Sequence, residues 1–222
     1  MSKNSDRNVK NIFPRWANKV PLFIVIGIGL KLSFIVFVFW YWFSPYNLNV
    51  GYMPEQPIPY SHRLHVGELG MDCRYCHNHV EESSHANIPP TETCMNCHKI
   101  IKKDSPHIVK VRESYEQDKP IEWVNVHQLP DYAYFNHSAH LKAGVSCVSC
   151  HGRVDQMEVV HQTEPLSMGW CLDCHREPEK YVRPQEFITD LDWESENQIE
   201  MGLELIKEHQ INPGVSCSVC HR

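Results

Sequence analysis

Residues 136–151 read Asn136-His137-Ser-Ala-His140-Leu-Lys-Ala-Gly-Val-Ser-Cys147-Val-Ser-Cys150-His151. A His-x-x-His element is followed here by a glycine and then by Cys-x-x-Cys-His. The second element recurs five times and takes in all ten cysteines: Cys73-x-x-Cys76-His77, Cys94-x-x-Cys97-His98, Cys147-x-x-Cys150-His151, Cys171-x-x-Cys174-His175 and Cys217-x-x-Cys220-His221. Two thiols three residues apart reach the two vinyl groups of one haem as thioethers, and the histidine that follows then lies under the iron as its proximal ligand. Zinc would ask for paired Cys-x-x-Cys units with no obligatory histidine after each, and disulfides impose no histidine at all. The pattern points to five covalently bound haem c groups.

Working outward from that stretch, the chain repeats itself. Ser61-His62-Arg-Leu-His65 precedes Cys73 as Asn136-His137-Ser-Ala-His140 precedes Cys147, and a degenerate third copy runs from Ile206 through His209 to Cys217 with isoleucine in place of the first histidine. The unit is a His-x-x-His element, a glycine turn and a haem motif. This divides the body into a dihaem module (44–103), a linker (104–130) and a trihaem module (131–222). The 15 prolines and the spacing of the motifs predict a mainly irregular fold of short helices wrapped around cofactors, with little strand and a largely unfolded haem-free state. In the linker, Ser105-Pro106 opens a short helix with Ile108, Val111 and Tyr115 on one face, and Lys119-Pro120 ends it. Trp123–His127 alternates like an extended strand. After Asp192, the residues Ile199, Gly202, Leu203 and Ile206 mark one face of an amphipathic helix, and Asn212-Pro213-Gly214 turns it into the last motif.

Thioether haems are attached outside the cytoplasmic membrane, and the exporting element is visible. Residues 20–43 are one apolar run of membrane-spanning length, ending in Trp40, Tyr41 and Trp42 at the expected interface. Lys3, Arg7, Lys10, Arg15 and Lys19 precede it against a single acid, Asp6. The positive-inside bias makes 1–19 a cytoplasmic segment, 20–43 a single-pass anchor in the inner membrane, and the haem domain periplasmic. A cleaved signal peptide is the alternative; the run is too long for that, and no Ala-x-Ala site follows it. Lys31 stands mid-run, where an ammonium costs about 3 kcal/mol. It asks for a carboxylate or carbonyl from another membrane subunit. With residues 1–31 set aside, 15 basic and 26 acidic residues remain, a net charge of −11 that suits a basic redox partner and solubility alike. No basic patch or phosphate loop supports nucleic-acid binding.

Ten further histidines are available as distal ligands: His62, His65, His79, His85, His107, His127, His137, His140, His161 and His209. A His-x-x-His element upstream of a haem motif resembles the small multihaem cytochromes of the class III family. Carried over by position, that resemblance assigns His62 to the Cys73 haem, His65 to the Cys94 haem, His137 to the Cys147 haem and His140 to the Cys171 haem. The slot of the remaining distal ligand in the trihaem pattern holds Met168, assigned to the Cys217 haem, with His161 and His209 as alternatives. Methionine ligation would raise that haem's potential above the others. His79, His85, His107 and His127 read as surface or propionate partners. Six-coordinate irons leave no open position, no catalytic residue stands out, and the chain reads as an electron wire.

The HRLH and NHSAH elements, IPPTETCMNCH (residues 88–98), W-x-x-VHQLPDYAYFNHSAH (123–140), PLSMGWCLDCHR (165–176) and the N-terminal anchor together resemble the pentahaem cytochrome subunits of alternative complex III. The resemblance implies electrons received from integral membrane quinol-oxidising and iron–sulfur subunits and delivered to a cytochrome c or a terminal oxidase. A stand-alone membrane quinol dehydrogenase is the runner-up; such proteins place a methionine two residues after the first motif's histidine, where this chain has His79. A terminal multihaem reductase with one open iron is the third reading.

Overall fold

The computed structural model describes residues 14–43 and 49–221, so that Lys3, Asp6, Arg7 and Lys10 lie outside it. The chain divides into two compact units at residues 47/48. In the first, a 3-10 turn (Arg15–Lys19) leads into helix α1 (Val20–Phe43), which buries none of its side chains within the unit. Its 24 residues span about 36 Å, enough to cross the ~30 Å hydrocarbon layer. Phe37 stacks on Tyr41 at 6.1 Å and Phe39 on Phe43 at 5.3 Å, concentrating aromatic rings at the C-terminal end.

The second unit is a set of short helices joined by long irregular connections. After a π-helical turn (Arg63–Glu68) come α2 (Cys73–Cys76), α3 (Thr91–His98), α4 (Pro106–Glu116), α5 (His137–Lys142), α6 (Val148–His151), α7 (Met168–Arg176), α8 (Gln198–His209) and α9 (Cys217–Cys220). No strand occurs among the described residues, only an isolated pairing of Val145 with Val182. Each Cys-x-x-Cys-His motif makes or joins a helical turn. In three of them the turn closes on itself: His77, His151 and His221 donate their backbone N–H to the carbonyls of Cys73, Cys147 and Cys217 at 2.8, 2.9 and 2.9 Å. Side chains three and four residues apart share a helical face, so both thiols and the imidazole project to one side. Asp72 and Ser167 cap α2 and α7 by accepting from Arg74 N–H and Trp170 N–H.

The polypeptide's own core is small. Ten hydrophobic side chains are buried among the described residues, in two clusters and a few isolated positions. Ile58, Met95 and Val111 form one cluster with Cys94, Ile108, Ile121 and Trp123 around it; Val80, Leu141 and Ile188 form the other, flanked by Ala86 and Cys147. The second and third motifs are thus packed against the core through Cys94, Met95 and Cys147.

Three elements differ from the sequence reading. In α4, Ile108 and Val111 face the core as expected, but Tyr115 is exposed, because the helix meets its neighbour only through its first two turns. Residues 123–127 are not a strand: the side-chain amide of Gln56 donates to the Val124 carbonyl at 2.8 Å and accepts from its N–H at 2.9 Å, taking the role of a neighbouring strand. On α8 the inward side carries Gly202, with Met201, Leu205 and Ile206 half-buried, while Ile199 and Leu203 are exposed. The rotation follows from a close approach. A β-carbon on Gly202 would collide with the Glu179 backbone, and Gln198 locks the helix there by donating to the carbonyls of Glu179 and Val182 at 3.0 and 2.8 Å. Gly202→Ala is therefore expected to cost about 1–3 kcal/mol. In thermal melts the transition should fall by about 2–4 °C for each kcal/mol lost.

Candidate haem sites

A metal-binding imidazole gives one nitrogen to the metal, while the other is held by a hydrogen bond that fixes tautomer and orientation. Four of the five motif histidines have this arrangement with a backbone carbonyl. The Nδ1 of His77 meets Asn87 O at 2.5 Å, His98 meets Ile101 O at 3.0 Å, His175 meets Gly214 O at 2.8 Å and His221 meets Tyr132 O at 3.0 Å. Each leaves Nε2 free to face a metal. His151 differs: its Nδ1 meets Nε2 of His127 at 3.4 Å, with the rings edge to face. His127 is thus a partner of a motif histidine, a role for which its position beside Trp123 gave no sequence signal.

The candidate distal histidines are held in the same way. Nδ1 of His65 and of His140 each meets the carbonyl four residues earlier, Ser61 and Asn136, at 2.8 Å, and Nδ1 of His137 meets Ser84 O at 2.8 Å. With metal–imidazole bonds of about 2 Å, two rings facing each other across one metal stand about 6 Å apart, centroid to centroid. His65 and His98 are 6.2 Å apart, His137 and His151 6.3 Å, and His140 and His175 6.1 Å. The first pair joins the first His-x-x-His element to the second motif, and the other two join the second element to the third and fourth motifs. His62 lies close enough to His77 for that ring to add to the disfavouring of charge on His62, and the Nδ1 of His62 is buried without a partner. The donor sets fit haem: two thiols and an imidazole on one helical turn, with a second imidazole opposite at the second, third and fourth motifs.

Burial favours the neutral form of five of these rings. It lowers the pKa of His62 to about 4 and of His151 to about 3, neighbouring histidines adding to the effect, and it also lowers His137, His140 and His127. A neutral imidazole keeps the lone pair that ligation requires.

The remaining candidates are less gathered. Met168 opens α7 with two-thirds of its surface exposed, and His209 is exposed at the end of α8. His161 lies near His127, its Nδ1 at 3.4 Å from Val159 O. None of the three is joined to His221 by a contact among the described residues. Two aromatic rings, by contrast, sit directly at the paired histidines: Tyr60 at His62 and His65, and Phe135 at His137 and His140. The sequence signal for them is an aromatic residue two positions before the first histidine of each His-x-x-His element.

Contacts between motifs define neighbours. Tyr75 of the first motif accepts a hydrogen bond from Asn96 of the second at 3.0 Å. The thiols of Cys73 and Cys147 touch, linking the first motif to the third. His137 and His140, on α5, face the third and fourth motifs. The fourth reaches the lead-in of the fifth through His175 and Gly214, and the fifth is tied back by Tyr134 N–H donating to Cys220 O at 2.8 Å. The spatial order is second, first, third, fourth, fifth.

Comparison with known proteins agrees with this chemistry. Residues 139–222, which contain the third to fifth motifs, match the cytochrome c3 family model. The chain is also 37% identical, over 98 residues, to the protein named menaquinone reductase, multiheme cytochrome c subunit, of Nitratidesulfovibrio vulgaris; the match covers 44% of this chain and 46% of that one. The chain thus matches less than half the length of that relative. The similarity to the cytochrome c3 family lies over the third to fifth motifs.

His127→Leu should leave the His151 N–H without its acceptor, making the ring a poorer electron donor. In a potentiometric titration of the holoprotein one haem step should move to higher potential while the others stay.

Proposed function

We propose that this chain is a membrane-anchored pentahaem cytochrome c that relays electrons between a quinone-reacting membrane complex and a soluble or membrane-bound acceptor. The observation that carries it is the set of histidine pairs about 6 Å apart, each pair including one motif histidine, strung along a continuous line of neighbouring motifs. In this reading Cys73, Cys76, Cys94, Cys97, Cys147, Cys150, Cys171, Cys174, Cys217 and Cys220 hold five haems. His77, His98, His151, His175 and His221 are the proximal ligands; His62, His65, His137 and His140 are the distal ligands of the first four haems. Met168 is the distal ligand of the fifth, since the third repeat carries Ile206 where a histidine would stand. The haems supply one-electron transfer when bound; the protein's part is to orient the imidazoles, hold each Nε2 toward its iron and keep both axial positions filled. No reacting site for substrate is formed.

The two exposed cysteines are Cys97 and Cys217, one at each end of the line of motifs, which suits electron entry at one end and exit at the other. The quinol-oxidising partner follows the resemblance to alternative complex III, with integral membrane and iron–sulfur subunits upstream and a cytochrome c or terminal oxidase downstream. The match to a menaquinone reductase subunit favours a second reading, the same relay run toward the quinone pool. Purified complex given quinol and oxidised cytochrome c, or reduced cytochrome c and menaquinone, separates the two by which pair reacts.

The relay reading predicts five haems per chain by intact mass and haemochromogen absorbance, one with the red-region band of a methionine-ligated ferric haem. It also predicts no carbon monoxide binding by the reduced protein. A carbon monoxide complex would instead show an open iron and favour a reductase, and fewer haems would contradict the pentahaem reading.

The same reading gives Lys31 a partner. Gly27, one helical turn away on the same face of α1, has open space around it, so a second helix can approach closely beside the ammonium. In gently solubilised membranes the protein is expected to co-migrate with polytopic and iron–sulfur subunits on a haem-stained native gel. Lys31→Leu should abolish that co-migration while leaving haem content intact.

A further inference from the structure

The two His-x-x-His elements share a detail beyond their histidines. Tyr60 lies edge-on to His62 with ring centroids 4.8 Å apart and an interplanar angle of 83°, and stacks on His65 at 4.4 Å and 22°. Phe135 repeats this: 4.7 Å and 88° to His137, 4.4 Å and 27° to His140. Closely similar distances and angles therefore occur twice, in segments 75 residues apart that are related by the internal repeat. The carbonyl contacts of His65 and His140, both to the residue four positions earlier, repeat as well. A ring that is stacked on one imidazole and edge-on to the next holds the two planes at a steep angle, and an aromatic contact of this kind is worth about 0.5–1.5 kcal/mol beyond area burial.

The two imidazoles at each ring face different motifs. His65 faces His98 and His62 neighbours His77; His140 faces His175 and His137 faces His151. One aromatic side chain thus fixes an axial ligand on each of two adjacent centres. The tyrosine hydroxyl is dispensable for this, since phenylalanine does it in the second copy. The third repeat has Glu204 and Ile206 in the equivalent places, and so has neither the ring nor the first histidine.

We propose that Tyr60 and Phe135 are positioning residues that set the axial imidazole planes of two haem pairs, Tyr60 for the first and second haems and Phe135 for the third and fourth. The orientation of an axial imidazole sets the splitting of the iron d orbitals, so each ring tunes two irons at once and leaves the fifth alone. This rests on the haem-ligand reading above. The predicted signature is a partition that a general loosening of the fold would not produce.

The test uses the full-length holoprotein. Haem content and ferric low-spin electron paramagnetic resonance are recorded for the unaltered protein, Tyr60→Leu, Phe135→Leu, and the ring-preserving Tyr60→Phe and Phe135→Tyr. Absence of five low-spin haems in the unaltered protein would sink the ligand reading itself, before any variant is considered. Given five, the expected result is that Tyr60→Leu shifts the g-values of two signals, Phe135→Leu shifts two others, neither moves the fifth, and the ring-preserving variants leave all five in place. Fully loaded Leu variants with unchanged signals, or with all five shifted together, would overturn the proposal. Leu variants that fail to load haem while the ring-preserving ones load it would also overturn it, in favour of a purely structural role.

Discussion

An imidazole that is to hold a metal from one side must have its other nitrogen occupied, and the rest of this structure depends on how that demand is met. Backbone carbonyls of Asn87, Ile101, Gly214 and Tyr132 accept from, or align, the Nδ1 atoms of four motif histidines. Those carbonyls belong to loops, which explains why so much of the chain is irregular: a carbonyl already used in a helix or sheet ladder has less freedom to serve a side chain. The long connections are the scaffold that aims the ligands. With Nδ1 occupied, Nε2 is left as the available donor at each of these rings.

The same carbonyls cross-link the chain. Gly214 lies in the lead-in to the fifth motif but holds the histidine of the fourth, Tyr132 precedes α5 but holds the histidine of the fifth, and Ser84 follows the first motif but holds His137. Orienting one ligand therefore docks another segment, and the motifs become neighbours in an order that differs from their order in the chain. The first motif lies between the second and the third, so that the internal repeat is joined through its two leading members. With a polypeptide core of ten buried hydrophobic side chains, this web of ligand-orienting bonds is a main source of tertiary order.

Much of this was legible in the sequence because it is local. A Cys-x-x-Cys-His turn, a Ser105-Pro106 helix start, an apolar run from Val20 to Phe43 and a His-x-x-His element before a haem motif each declare themselves within a dozen residues. His65 stands 6.2 Å from His98, His137 6.3 Å from His151 and His140 6.1 Å from His175, so each His-x-x-His element reaches a motif histidine. What the sequence concealed is non-local. The facing of α8 is set by contact between Gly202 and Glu179, which exposes Ile199 and Leu203 against their periodicity; the extended stretch at Val124 is completed by a side chain 68 residues away. His127 gave no motif to mark it as the partner of His151, and Tyr60 and Phe135 stand two positions before the histidines that define the repeat. Met168 remains a positional inference, with no contact to His221 behind it.

The central claim is that five motifs form one line in the order second, first, third, fourth, fifth, each centre gripped by two axial ligands. The most direct measurement is an anomalous-scattering map at the iron absorption edge on crystals of the holoprotein. The account predicts five iron peaks in a single unbranched row, with the Cys94 and Cys217 motifs at its two ends and the Cys73 motif between those of Cys94 and Cys147. Fewer peaks, or a row that follows the order of the motifs in the chain, would contradict it.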